Sequence, residues 1–290
     1  MEVKNEMYIG LSLLSAVFSS LTAIFGKKGL TNINSHVATF IRTGIILVYV
    51  WGFALIMGDC AQIGSLSPAS LLFLLLSGAA AGGSWLCYYK ALSIGLVSQV
   101  TAVDKSSVLL TMIFGMTFLS ERVTAFKLLG LAVIAVGTVL MLKDFSKKDP
   151  KNIKSLLFAG ASAIFAALTS ILAKVGLGGV NANLGTAIRT AVVFVFAGLM
   201  ILVSKSGGGF RTASKRDIGY LCLSALTTTL AWLCYFNALR IGEASIVAPL
   251  DKLSVIITVV ASVVFLKEKF STKVLLGAVL TTAGTILTLF

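Results

Sequence analysis

Charged residues are scarce in this sequence. Asp, Glu, Lys and Arg make up 12% of its 290 residues, whereas hydrophobic residues make up 57%, and the mean hydropathy is +0.99. Soluble domains carry about 25% charged residues, and soluble monomers rarely expose large continuous apolar patches. The composition therefore excludes an ordinary water-soluble domain and predicts a protein whose surface faces lipid.

Signatures of catalysis and of metal binding are also missing. The sequence contains no HExxH, GxSxG or Walker motif. Its four cysteines form no CxxC pair, which favours small packing residues over metal ligands. Its one histidine, His36, lies at a predicted helix start, where we assign it no role. We therefore expect no enzyme activity, no cofactor and no metal, and the missing Walker motif excludes an ATP-driven pump.

Basic residues outnumber acidic ones and give a formal net charge of +13. Most of the Lys and Arg residues lie in short gaps between apolar segments, where they face phospholipid headgroups. The basic and aromatic residues form no soluble surface of the kind that binds DNA or RNA. The charge therefore indicates a lipid bilayer as the partner of this surface, and we expect no nucleic acid.

Ten apolar segments are long enough to cross a hydrocarbon core of about 30 Å, which takes roughly 20 helical residues. They are continuously apolar rather than alternating, and this pattern favours helices over a membrane barrel. The predicted spans are residues 8–26, 35–57, 68–90, 97–118, 124–142, 153–174, 182–204, 217–238, 244–265 and 271–290. The sequence thus predicts an all-α membrane protein with ten transmembrane helices.

The two halves of the sequence repeat each other. When the chain is shifted by 147 residues, Trp85–Val108 aligns with Trp232–Val255, and 14 of these 24 positions are identical. A charged segment with Pro150 lies between the halves. We therefore divide the chain into a first five-helix repeat (residues 1–142), a linker (143–152) and a second five-helix repeat (153–290).

The number of helices in each half predicts how the halves are oriented. Because five is odd, two copies in one chain must enter the membrane in opposite directions. The result is a pair of inverted repeats related by an axis in the membrane plane. Secondary transporters have this architecture, with a substrate site near the midplane between the repeats.

The ends of the two halves carry a further pattern. FLSERVTAFKLLGLAVIAVGTVLML (Phe118–Leu142) and FLKEKFSTKVLLGAVLTTAGTILTL (Phe265–Leu289) each place a Glu after the fourth helix and two glycines seven residues apart in the fifth. This pattern resembles the EamA type of the drug/metabolite transporter superfamily. The resemblance covers both halves and implies a ten-helix fold and the transport of small metabolites, often efflux. Many relatives carry Gly before the glutamate, where this chain has Ser120 and Lys267.

The glycines of the fifth helices and the glutamates before them have simpler interpretations as well. Small residues on one helix face allow close helix packing, and this is the role we predict for four of them. They are Gly130, Gly137, Gly277 and Gly284. Glu121 and Glu268 lie at predicted membrane edges, where they either cap or pair locally or take part in transport.

Ionisable residues inside the apolar segments are candidates for a substrate site. Inserting such a group into the bilayer costs roughly 2.5–3.5 kcal/mol, so it usually faces the protein interior or a wet cavity. The candidates are Arg42, Arg189, Asp104, Lys105, Asp251 and Lys252, and all are matched across the repeat. Four positive and two negative charges sum to +2, which favours a ligand with an anionic group, such as an amino acid or an organic acid.

Two roles are open for these ionisable residues. In a cavity, the arginines would clamp a carboxylate or a phosphate through their planar guanidinium groups. The aspartates would bind an amine or take up a proton. Alternatively, the acidic and basic side chains pair with each other and lock helices together. A transporter can use the same groups in both ways in different states.

Aromatic residues and one proline are further candidates. Trp85 and Tyr88, and likewise Trp232 and Tyr235, lie three residues apart near the ends of predicted helices. They either stack on a substrate or belong to the aromatic belt at the membrane interface. Pro249 frees a backbone carbonyl one turn earlier, and this predicts either a hinge or a passive kink.

The function we predict is secondary transport of small polar or amphipathic metabolites by alternating access. A gradient of protons or another ion, or exchange of substrates, would supply the energy, and the protein would act in the cell membrane as a monomer or homodimer. The alternatives are a membrane receptor or assembly module without transport, and a passive channel. The distribution of Lys and Arg places both termini outside, whereas the family resemblance implies that both lie inside.

Overall fold

A computed structural model of the chain describes residues 2–29, 33–94, 103, 106–141, 150–204, 214–258, 260 and 272–290. Within these ranges the chain is helical and forms no strand. The helices are α1 (Glu2–Gly29), α2 (Ser35–Ile56), α3 (Pro68–Ile94), α4 (Ser107–Phe118), α5 (Ala125–Met141), α6 (Pro150–Gly176), α7 (Ala182–Ser204), α8 (Lys215–Ile241), α9 (Ala244–Asp251) and α10 (Thr272–Leu287). Residues 254–258 are also helical.

Local sequence explains where several helices begin and end. Ser214 and Asp217 form a capping box that satisfies free backbone N–H groups at the start of α8. Gly58, just past the end of α2, adopts a left-handed backbone with φ of 74°, which glycine tolerates without strain. Helix α6 begins at Pro150, so part of the predicted linker is helical. Proline is favoured in the first turn because its missing N–H has no partner there anyway.

The prediction of a helical membrane protein is confirmed. Of the described helices, six are long and apolar enough to cross a bilayer, namely α1, α2, α3, α6, α7 and α8, and α4, α5 and α10 contain shorter apolar stretches. Large apolar side chains such as Val48, Leu202 and Val203 remain exposed on the outside of the bundle. In a membrane this surface contacts lipid tails instead of water.

The two halves pack against each other as the repeat predicts. Helix α1 packs along α8, and α3 packs along α6. A Cβ atom at Gly29 would lie 3.1 Å from the Leu221 side chain, and one at Gly176 would lie 2.9 Å from the Leu74 backbone. These two contacts become equivalent when the sequence is shifted by 147 residues. At these two contacts, the interface between the halves is therefore symmetric.

The fifth helices of the two halves show that the repeats are inverted. A Cβ atom at Gly137 would lie 2.8 Å from the Gly277 carbonyl oxygen, and one at Gly284 would lie 2.8 Å from the Gly130 carbonyl oxygen. The first glycine of α5 thus meets the second glycine of α10, and the second meets the first. Equivalent helices of the two halves therefore run antiparallel, as an inverted repeat requires.

We expect the Gly137→Ala substitution to destabilise the protein. The added methyl group would meet backbone atoms of α10, which cannot move aside like a side chain, and overpacking of this kind costs about 1–3 kcal/mol. Thermal unfolding in detergent, followed by tryptophan fluorescence, measures the change. Gly52→Ala is the matched control, because nothing lies within 4 Å of a Cβ atom there and alanine is the better helix former. Equal melting temperatures for the two variants would contradict the proposed close contact.

The chain turns within the predicted span 244–265, close to Pro249, where the sequence predicted a hinge or a kink. Helix α9 ends at Asp251, and the chain turns at Lys252 and Leu253 before it becomes helical again. In the turn, the Leu253 N–H donates to the Leu250 carbonyl oxygen at 3.1 Å. The equivalent bond in the first half joins the Ser106 N–H and the Val103 carbonyl oxygen, also at 3.1 Å.

The repeated turn bears on the role of Pro249. In the first half this position is Ala102, so proline is not needed for the bond between Ser106 and Val103 to form. Pro249 itself is buried, and its carbonyl oxygen accepts a hydrogen bond from the Lys252 N–H at 2.9 Å. Pro249 as a hinge remains a prediction.

A candidate substrate cavity between the two halves

A cavity of about 290 Å³ lies between the two halves of the protein. Helices α1, α3 and α4 of the first half and α6, α7, α8 and α9 of the second half contribute to its wall. Hydroxyl groups line much of it, among them those of Ser19, Ser84, Thr111 and Thr169. A membrane protein gains little by burying polar groups around an empty space, so this wall is suited to a polar or amphipathic ligand.

The structure brings six of the predicted site residues to this cavity. They are Trp85, Arg189, Trp232, Tyr235, Asp251 and Lys252. Arg42 and Tyr88 are not among the described lining residues, and Asp104 and Lys105 lie outside the described part of the chain. The three predicted aromatic residues among them, Trp85, Trp232 and Tyr235, line a cavity between helices, which favours a role in the site over the interfacial belt. Their contact with a substrate remains a prediction.

Arg189 is the most deeply buried charged residue of the site, with 3% of its surface exposed. Its Nε atom donates a hydrogen bond to Ser77 Oγ at 3.2 Å, and Ser77 in turn donates to the Thr169 carbonyl oxygen at 2.7 Å. The guanidinium carbon lies 4.0 Å from the centre of the Phe236 ring, close enough for a cation–π interaction. These contacts fix the side chain against the wall of the cavity.

Asp251 and Lys252 form an ion pair at the break in the helix. Lys252 Nζ lies 3.6 Å from Asp251 Oδ2, and Ser15 Oγ of α1 donates a hydrogen bond to Asp251 Oδ1 at 2.7 Å. Because α9 ends at Asp251, a serine of the first half binds a carboxylate of the second half at this point. The hydrogen bond between Ser15 and Asp251 therefore connects the C-terminal end of α9 to the opposite repeat.

Tyr235 extends the polar wall of the cavity. Its hydroxyl group shares a hydrogen bond of 2.9 Å with Ser170 Oγ on α6, and its ring packs edge-on against Phe236 with 5.0 Å between the ring centres. The described lining thus combines aromatic rings with hydroxyl groups. An amphipathic ligand would match both kinds of surface.

Glu121 has a long-range role that the sequence did not indicate. The sequence left open a local cap or pair and a role in transport, and its carboxylate accepts hydrogen bonds from the backbone N–H groups of Ala244 at 2.6 Å and Ser245 at 2.8 Å. It also lies 3.6 Å from Lys174 Nζ. Both partners belong to the second half, so Glu121 caps the N-terminus of α9 across the interface between the repeats.

Further contacts join the two halves around Glu121. Lys174 Nζ donates to the carbonyl oxygens of Leu239, at 3.3 Å, and Gly242. Lys127, on α5, forms an ion pair with Glu243. We call these four residues, Glu121, Lys127, Lys174 and Glu243, the Glu121 cluster. We call the side of the bundle at which helices α4, α6 and α8 end the Glu121 face. One signal could have found Lys174, because it aligns with Lys27 when Glu121 aligns with Glu268.

A family model of the EamA-like transporter family matches residues 6–143 and matches again over residues 153–290. The chain belongs to the EamA-like transporter family. The two matched regions correspond to the two halves that pack together in the bundle. Membership of this family indicates a membrane transporter.

Individual relatives of this EamA-like transporter carry no named substrate. An uncharacterized transporter in the cobO 3' region of Sinorhizobium sp is 42% identical over 130 residues, which cover 45% of this chain and 92% of the relative. That relative is thus about as long as one repeat. An uncharacterized protein of Methanocaldococcus jannaschii is 40% identical over 73 residues, which cover 25% of this chain and 53% of that protein.

A solved crystal structure has the same fold as this EamA-like transporter. It superposes with a TM-score of 0.79 and 14% sequence identity, and the match covers 97% of this chain and 96% of the other. At this identity the likeness shows the fold alone. The substrate must therefore be inferred from the cavity itself.

Proposed function

We propose that this protein is a secondary transporter that moves small polar or amphipathic metabolites across the cell membrane by alternating access. The observation that carries the proposal is the cavity between two inverted repeats, which is lined by both halves. The Glu121 cluster joins the two halves at the Glu121 face, and we propose that it closes the cavity there. In inverted-repeat transporters, the repeats move around a site of this kind and expose it to each side in turn.

The different environments of matched residues support this mechanism. Arg189 is buried and lines the cavity, whereas its counterpart Arg42 is partly exposed and is not among the described lining residues. Two halves with similar sequences therefore adopt different conformations. An exchange of these conformations between the halves would close the cavity on the other face and open it at the Glu121 face.

The energy source for transport can be inferred from the sequence motifs and from the cavity lining. A protein without a Walker motif needs an ion gradient or a counter-substrate to move a solute uphill. Asp251 is the described carboxylate that lines the cavity, so it is the candidate for binding a proton or another coupling ion. We propose an exporter or an exchanger, in line with the efflux that the family resemblance implies.

Reconstitution into liposomes tests the proposal. Vesicles are loaded with a mixture of amino acids and organic acids, and release of each compound is followed by mass spectrometry against protein-free vesicles. We expect release of a subset of compounds to saturate with concentration and to accelerate when the same compound is present on the opposite side. Release without saturation would indicate a channel, and the absence of release would indicate a receptor or an assembly module.

A further inference from the structure

Arg189 carries a buried charge that no described residue neutralises. Of the described residues, none places a carboxylate oxygen within 4.0 Å of its guanidinium group. Its single described hydrogen bond is donated by Nε to Ser77, so the terminal nitrogens Nη1 and Nη2 have no described acceptor. A buried charge without a partner is costly, and an anionic ligand in the cavity would remove that cost.

The other charges of the cavity do not compete for this ligand. Asp251 is engaged by Ser15 and Lys252, which leaves that ion pair neutral as a unit. The charged residues in the described lining are Arg189, Lys252 and Asp251, and their charges of +1, +1 and −1 sum to +1. A ligand with one negative charge would make the described lining neutral.

The geometry of Arg189 selects the type of anion. Its Nε edge is occupied by Ser77, and the face of its guanidinium group lies against Phe236. The edge that remains is formed by Nη1 and Nη2, whose parallel N–H groups bind the two oxygens of a planar carboxylate. A phosphate monoester fits less well, because it carries a charge of about −1.5 to −2 near neutral pH and would leave this site negative.

The residues of the cavity wall indicate the size and polarity of the rest of the ligand. Trp85, Trp232 and Phe236 provide aromatic surface, and Ser19 and Thr111 are among the hydroxyl groups on the remaining wall. The cavity volume of about 290 Å³ is at the small end of ligand pockets. We infer that the substrate is a small monocarboxylate with an amphipathic body, and that its carboxylate binds Nη1 and Nη2 of Arg189. This inference rests on the proposed transport function for the identity of the site.

Binding of matched compounds to the purified protein tests the inference. Each pair has nearly the same shape and differs by one negative charge: 4-methylpentanoate and 4-methylpentanamide, and 3-phenylpropanoate and 3-phenylpropanamide. We expect at least one carboxylate to raise the melting temperature in a saturable way, and its amide to bind about tenfold more weakly or worse, since a hydrogen bond to a charged group contributes about 1.5–3 kcal/mol.

Variants of Arg189 identify the group that recognises the charge. Arg189→Gln should abolish the preference for the carboxylate, and Arg189→Lys, which keeps the charge but loses the planar fork, should weaken it. Arg240→Gln is the matched control, because Arg240 is exposed and outside the described cavity lining, and it should retain the full preference. If Arg189→Gln does not fold, the comparison of Arg189→Lys with wild type provides the same test.

Two outcomes would overturn the inference. The first is that no carboxylate binds, or that amides bind as tightly as carboxylates. The second is that both Arg189 variants keep the preference of the wild-type protein. Transport is measured separately in liposomes, so failure of the proposed transport function can be distinguished from failure of this inference about the substrate. Carboxylate binding without flux would overturn the proposed function alone, and saturable flux of neutral or cationic compounds independent of Arg189 would overturn this inference alone.

Discussion

Glu121→Gln is expected to open the cavity towards the Glu121 face and to reduce transport. The substitution removes the negative charge that pairs with Lys174 and leaves one oxygen where two now accept the N–H groups of Ala244 and Ser245. Glu121 is 8% exposed, so water cannot fully replace what is lost. Hydrogen bonds of charged groups contribute roughly 1.5–3 kcal/mol, which corresponds to a shift of the closed–open equilibrium by about tenfold to hundredfold.

Cysteine labelling measures this shift directly. The four native cysteines are replaced by serine, and Ser19→Cys provides a reporter in the cavity wall. A membrane-impermeant maleimide added at the Glu121 face should label the reporter about tenfold faster or more in the Glu121→Gln variant. Glu6→Gln is the control, because Glu6 is an exposed carboxylate near the start of α1. Equal labelling rates in the two variants would show that the Glu121 cluster does not close this face.

The repeat predicts the opposite effect for Glu268. Glu268 and Lys27 align with Glu121 and Lys174, which suggests that the second pair closes the other face in the alternate state. Glu268 and the Lys27 side chain lie outside the described part of the structure. Glu268→Gln should therefore favour the state described above and slow labelling of the reporter from the Glu121 face. The opposite signs of the two substitutions distinguish a balance between two closed states from simple loss of stability.

The architecture was largely predictable from the sequence. Long apolar segments predict transmembrane helices, because each backbone polar group in a bilayer must find its hydrogen-bond partner within the helix. The 147-residue repeat predicts inverted halves, because each half contains five helices, which is an odd number. Gly130, Gly137, Gly277 and Gly284 were predicted to pack closely, and they do so in reciprocal pairs. These features depend on residues that are near in sequence or on the duplication itself.

The remaining features depend on tertiary packing that the sequence pattern does not encode. Nothing local to Glu121 shows that its partners are the N–H groups of Ala244 and Ser245, more than 120 residues away. The sequence predicted a hinge or a kink at Pro249, but it could not place the turn at Lys252 and Leu253, because hydropathy reports membrane depth rather than helix continuity. The repeat treats Arg42 and Arg189 as equivalent, so it could not show that Arg189 alone of the two is in the described lining.

Asp251→Asn is expected to lower the initial rate of flux in liposomes by about tenfold or more. The substitution removes the negative charge that pairs with Lys252, so the charge of the described lining rises from +1 to +2, and a barrier increase of about 1.4 kcal/mol already lowers a rate tenfold. It also removes the candidate site for a coupling ion.

The double substitution Asp251→Asn with Lys252→Gln separates these two causes, because it returns the charge of the lining to +1. If Asp251 served only to neutralise Lys252, the double variant would recover the flux of the wild-type protein. We expect it to remain impaired in uphill transport, because the carboxylate that receives the hydrogen bond from Ser15 of the opposite repeat is still missing. Recovery of uphill flux would assign Asp251 a purely structural role and would leave the coupling ion to be bound elsewhere in the protein.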